Sequence, residues 1–186
     1  MRVASHPPLA ASMARLSGRG NQEIVWDPFC GSGLELIERA RLGGIRTIYG
    51  TDLNPDAIAI CRANFTAAEV KAIPLTLACC DFREYSKVEG LEPRSVTLII
   101  TNPPMGRRIR VHNMRGLFRD LFTVAATVLK PGGRLIFANP LRIEPSDSSL
   151  KLKSRKAVDL GGFDCRLEVY LKQMSRGEQP RSISLS

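Results

Sequence analysis

Apolar residues in this chain fall in short runs set apart by glycine, proline and polar clusters, and two spacings alternate along it. A helix is predicted over residues 8–16, where proline takes the first helical position and Leu9, Ala10, Met13, Ala14 and Leu16 recur at helical spacing before Gly18 stops it. Ile24-Val25-Trp26 reads as a strand, 34–40 as a helix ending at Gly43-Gly44, 47–50 as a second strand and 55–68 as a helix opened by Pro55. Residues 73–78 read as a third strand, and 96–100, an apolar run, as a buried fourth strand. A helix over 116–129 stops at Lys130-Pro131-Gly132-Gly133, and 134–138 is a fifth strand. Residues 146–156 are polar with weak helical character, while 158–160 and 165–171 read as two strands joined by a glycine turn. From 174 onward the chain is polar without period and reads as a disordered tail, so 1–173 is expected to be one domain. Strands alternating with helices predict an α/β fold: a doubly wound sheet of about seven strands, a ligand at their carboxyl ends, and a closing hairpin.

Several polar residues fall where those strands end. After the fourth strand comes Thr101-Asn102-Pro103-Pro104-Met105-Gly106. Consecutive prolines fix φ, donate no backbone hydrogen bond and hold Asn102 extended. The Asn102 side-chain oxygen and the Pro103 carbonyl are then two acceptors on a stiff turn, suited to gripping the two hydrogens of a planar NH2 group. The same sequence also serves as a plain strand-ending turn. After the first strand, Asp27-Pro28-Phe29-Cys30-Gly31-Ser32-Gly33 makes a glycine turn into a helix, where Gly31 and Gly33 let the backbone approach a ligand. The third glycine of a dinucleotide fingerprint is absent, since Leu36 takes its place, and Asp27 would repel a pyrophosphate. A carboxylate there suits a ligand that carries an ammonium and a sulfonium. Asp52, followed by Leu53, lies nineteen residues past Gly33, where an acid accepts from ribose hydroxyls. Asp81 could accept from an adenine amino group and Phe82 cover the ring, although an aspartate at a strand end also serves as a helix cap.

Composition narrows the partner. At 186 residues and 44% hydrophobic the chain can fill one core, and it has neither an apolar run long enough to span a membrane nor the apolar centre of a leader. A cytoplasmic protein with no membrane contact is expected. Five cysteines without a C-x-x-C pair read as reduced core residues, and no metal site is expected. The formal charge of +9 points to a polyanion, and Arg107, Arg108, Arg110 and Arg115, directly after the Asn-Pro-Pro turn, are the candidate nucleic-acid contacts.

Taken together, these residues resemble the class I methyltransferases that use S-adenosylmethionine, and most closely the catalytic domain of THUMP-containing RNA guanine-N2 methyltransferases. The resemblance covers residues 3–172, including the leading helix, the Asp27–Gly33 loop, Asn102-Pro103-Pro104-Met105-Gly106 and the closing hairpin. It implies a Rossmann-like methyltransferase fold and S-adenosyl-L-methionine as cofactor, held by Asp27, Phe29, Cys30, Gly31, Gly33, Asp52, Leu53, Asp81, Phe82 and Asn102. It also implies catalysis by Asn102, Pro103, Pro104 and Met105 on an exocyclic nitrogen of a base in structured tRNA or rRNA. Met105 departs from the aromatic residue common at its position, and a sulfur contact grips a flipped base less strongly than an aromatic stack. A THUMP domain is expected to be missing or supplied separately. Two alternatives stay open: an adenine-N6 methyltransferase acting on DNA or RNA, and a noncatalytic RNA-binding module that keeps the fold.

Overall fold

The computed structural model describes residues 6–70, 72–104, 114–159 and 164–174. Seven strands form one sheet: β1 (Glu23–Asp27), β2 (Ile45–Asp52), β3 (Leu75–Cys79), β4 (Val96–Thr101), β5 (Leu129–Asn139), β6 (Leu150–Asp159) and β7 (Asp164–Lys172). Four helices accompany them: α1 (Pro7–Ser17), α2 (Leu34–Arg41), α3 (Pro55–Ala67) and α4 (Met114–Val128), with a 3-10 helix at Phe82–Lys87. The order β3-β2-β1-β4-β5-β7-β6 is parallel from β3 to β5, and β7 is antiparallel to both of its neighbours.

Alternation along each central strand divides the core in two. Val25, Ile48, Leu98, Ile100, Ile136 and Val169 pack on the face covered by α1, α2 and α3. Their sequence neighbours Trp26, Tyr49, Ile99, Leu135 and Phe137, with Tyr170, pack on the other face, beneath α4 and the 3-10 helix. Burial on both faces is why these strands are nearly continuous apolar runs. Buried Glu23 at the start of β1 ties the layers together through ion pairs to Arg39 of α2 and Arg134 of β5.

Two expectations are corrected. Residues 150–156 belong to a strand rather than to a weakly helical stretch, and that strand runs on into the one expected at 158: β6 is the sheet edge, paired on one side alone, so most of its positions face water and carry no apolar alternation. Lys130-Pro131-Gly132-Gly133 does not precede the fifth strand but lies inside it. Leu129 already pairs with Val96, and the register shifts before Arg134 pairs with Leu98, with Gly132 at φ +78°. The glycine turn of the hairpin, at 160–163, and the tail from 175 lie outside the described residues.

Candidate functional site

Strands β1 and β4 are neighbours, and their connections leave in opposite directions across the sheet, which makes the gap between their carboxyl ends the topological switch point. Asp27 ends β1 and Thr101 ends β4, and the Thr101 hydroxyl donates to Asp27 Oδ1 at 2.5 Å. The Phe29 backbone N–H donates to the same oxygen at 3.0 Å. Oδ2 is buried and has no hydrogen-bond partner among the described residues. Burial, followed by the nearby Glu35 carboxylate, raises the Asp27 pKa well above the usual aspartate range. A fully buried carboxyl group with an idle oxygen is the complement of a cation.

The loop after Asp27 is held from below by β2. Thr51 donates its hydroxyl to the Pro28 carbonyl at 3.1 Å and accepts from Trp26 Nε1 at 3.3 Å, while Cys30 N–H donates to the Thr51 carbonyl at 2.9 Å. Asp52 closes the arrangement: Oδ2 accepts from Gly31 N–H at 3.0 Å and Oδ1 from Asn54 N–H at 2.9 Å. Each oxygen keeps a second lone pair for a hydroxyl. Leu53 beside it is 71% exposed, an open apolar surface at the same edge.

Gly31 and Gly33 differ in use. A side-chain carbon on Gly31 would meet nothing closer than the Phe29 carbonyl, at 3.8 Å, so this glycine borders open space. One on Gly33 would lie 2.5 Å from Cys61 Sγ and 3.2 Å from the Phe65 ring, and Gly33 N–H is already given to the Cys30 carbonyl. Gly33 therefore has a packing role as well: it lets α3 lie against the loop. Both have positive φ, +49° and +80°. Gly33→Ala is expected to destabilise the fold by about 2 kcal/mol or more, the sum of left-handed strain and overpacking, and Gly31→Ala by about half of that. Urea midpoints of the two variants measured side by side test this.

Two further side chains turn inward. Cys30 is buried on Cys61, the chief cause that raises its pKa, with burial second, so it is available to a ligand through its backbone alone. The Phe82 ring is buried against Phe29, centroids 4.9 Å apart, and under the Arg83 guanidinium. It braces the wall, which leaves Leu53 as the candidate cover for an adenine. Asp81 does cap the 3-10 helix, accepting from Arg83 N–H at 2.9 Å and pairing with the Arg83 side chain.

At the end of β4, Asn102 Oδ1 is buried with no hydrogen-bond partner among the described residues. The chain holds an internal control in Asn139-Pro140, at the end of β5. There Nδ2 donates to the Ile143 carbonyl at 2.9 Å and to Glu168 at 2.8 Å, and Oδ1 accepts from Leu141 N–H at 3.2 Å. One Asn-Pro turn is saturated by its own fold; the other holds an acceptor in reserve. Met105, Gly106, Arg107, Arg108 and Arg110 lie outside the described residues, and Arg115 is exposed on the first turn of α4. Sequence reasoning passed over Thr101 and Glu35, which set the state of Asp27. A hydroxyl as the last residue of a buried strand was the available signal.

Switch-point acids, a glycine turn and an idle asparagine on this sheet are those of a class I methyltransferase, a class whose methyl donor is S-adenosylmethionine. Residues 4–158 match the RMKL-like methyltransferase domain family, UPF0020, and the chain belongs to that family. It is 28% identical over 141 residues to the probable tRNA (guanine(10)-N2)-dimethyltransferase of Methanothermococcus thermolithotrophicus, an alignment covering 73% of this chain and 81% of the relative. Ribosomal RNA large subunit methyltransferase K/L of Shewanella frigidimarina is 27% identical across 87% of this chain, which spans 28% of that protein. Among solved structures, TrmN from Thermus thermophilus superposes with a TM-score of 0.69 at 27% identity, covering 89% of this chain and 48% of that one.

The residues present fit the cofactor. Idle Asp27 Oδ2 would meet its cationic end, Asp52 its ribose hydroxyls, and Leu53, exposed at the same edge, its adenine. When bound, the group supplies an electrophilic methyl on sulfur and a neutral leaving thioether.

Proposed function

We propose that this chain methylates an exocyclic base nitrogen in RNA, guanine N2 of tRNA or rRNA first among the candidates. The idle, buried Oδ1 of Asn102 carries the reading. An aromatic amine is a poor nucleophile because its lone pair is delocalised into the ring. Two acceptors, Asn102 Oδ1 and the Pro103 carbonyl, would take its two hydrogens, favour a pyramidal nitrogen and aim the lone pair at the methyl group. The base must leave its stack to reach them. Relatives named for tRNA guanine-N2 methylation and for methylation of large-subunit ribosomal RNA, together with the charge of +9, support RNA as the acceptor. Residues 1–173 act as the transfer domain, and the cytoplasm is where it would meet tRNA and rRNA. Among the described residues no helix is long and apolar enough to cross a membrane.

Adenine N6 is the second reading, because the same grip fits any exocyclic NH2. The rRNA N(6)-adenosine-methyltransferase metl-5 of Caenorhabditis elegans is 25% identical across 90% of this chain and 75% of its own length. Incubation with methyl-labelled S-adenosylmethionine and total tRNA, rRNA or DNA, followed by nucleoside analysis, decides. Label in N2-methylguanosine supports the first reading, label in N6-methyladenosine the second, and absence of label from all three acceptors overturns both.

A further inference from the structure

A cleft of about 330 Å3 opens at the carboxyl edge of the sheet, between the end of β5 and the β6–β7 hairpin. Asn139, Arg142, Asp159, Asp164 and Arg166 contribute its polar lining, and none of the cofactor residues described above borders it. It is near the transfer site all the same. Thr101 pairs with Phe137, so β5 ends with Asn139 about one strand spacing, roughly 4.8 Å, to the side of Asn102 and one residue further along.

The chemistry of the cleft is mixed. Two guanidinium groups and two carboxylates suit neither a bare phosphate nor an apolar ligand. They suit a nucleotide, whose phosphate takes the guanidinium donors and whose ribose hydroxyls donate to a carboxylate. The edge strand continues the surface away from the cleft: Lys151, Lys153 and Lys156 are exposed on β6, and none has a carboxylate partner among the described residues. Arg155, between them, is committed to Glu144 and Glu168. Arg142 and Arg166 likewise have no ion-pair partner among the described residues.

Lysines on an edge strand also prevent sheets from pairing edge to edge. That accounts for β6, but not for Arg142, which lies in the loop after β5, nor for Arg166, on the interior strand β7. A cleft beside the transfer site and a cationic strand leading from it are what a single strand of nucleic acid needs once one base is drawn into Asn102.

Resting on the reading of RNA as acceptor, we infer that the cleft takes a ribonucleotide flanking the target base and that the β6 lysines carry the phosphates beyond it. The carboxylates give the cleft a means of preferring RNA, since the 2′-hydroxyl is the group that DNA lacks.

The test is fluorescence anisotropy of the full chain with a labelled short single-stranded RNA of mixed sequence, and with its deoxy counterpart, across a potassium chloride series. S-adenosylhomocysteine affinity within about twofold of wild type controls for folding. Replacing Lys151, Lys153 and Lys156 together by Gln is expected to reduce the slope of log affinity against log salt by about 2, three phosphates at roughly 0.7 each. Arg166→Gln should weaken RNA binding about tenfold, and Asp164→Asn should narrow the preference for RNA over DNA. A wild-type protein that binds RNA with a slope the triple substitution leaves unchanged, or a triple variant that keeps its RNA affinity and instead self-associates, overturns this inference and leaves RNA as the acceptor. Failure of the wild type to bind this RNA at any salt overturns this inference too, and the acceptor is then decided by the transfer assay alone.

Discussion

Asn102→Ala is expected to lower methyl transfer at least about 100-fold while leaving affinity for S-adenosylhomocysteine within about threefold. The asymmetry follows from what Oδ1 touches. No donor among the described residues uses it, so its removal costs no hydrogen bond among them, whereas the incoming amine loses one of its two acceptors at the moment its nitrogen must pyramidalise. Asn139→Ala should do the reverse: it deletes three hydrogen bonds and leaves Glu168, buried among Asn139, Arg155 and Tyr170, short of a donor. Single-turnover transfer rates and thermal melts on the two variants separate the roles. Undiminished transfer by Asn102→Ala would remove Asn102 from the chemistry.

Asp27→Asn should weaken S-adenosylmethionine binding at least about tenfold and flatten its pH dependence. With its pKa raised by burial and by Glu35, the Asp27 carboxyl tends to hold a proton in the ligand-free protein. A cationic ligand selects the ionised form. Affinity in the wild type should therefore fall as pH drops through the raised pKa, approaching tenfold per pH unit below it, with a proton released on binding. The sign for stability is opposite. A carboxyl group whose folded pKa exceeds its unfolded value favours the folded state most at low pH, and that advantage is lost as pH rises through the folded pKa. The ligand-free Asn variant is accordingly expected to melt at or above the wild-type temperature near neutral pH. Calorimetric titration between pH 5 and 8 in buffers of different ionisation enthalpy measures affinity and protons together. Equal pH dependence in wild type and variant would exclude Asp27 as the titrating group.

The sheet was legible wherever burial on both faces forces an apolar run: the centres of β1, β2 and β4 and the second half of β5 are such runs, and proline and glycine mark where helices begin and stop. The strand-end acids were legible for a related reason, since Asp27, Asp52 and Asp81 interrupt apolar sequence at the points where the chain must turn. What was hidden depended on neighbours distant in sequence. Asn102 and Asn139 both end a strand and precede proline; that the second is saturated depends on Glu168, 29 residues away, and on the carbonyl and N–H that the turn after β5 brings to it. The packing role of Gly33 was hidden in the same way, since it depends on Cys61, on α3. Most of β6 escaped because an edge strand needs no apolar pattern.

The place of β7 constrains the order of assembly. It follows β6 in the chain yet lies between β5 and β6, so β6 reaches the sheet only through it. While β6 is being synthesised it has no partner strand, and β5 presents an unpaired edge. Strands β1 to β5 can pair as they emerge through their own βα connections, but this end of the sheet waits for the later strand to arrive and turn back. Whatever the cleft grips, it can grip only once the hairpin has docked, which makes that binding surface the last part of the molecule to form.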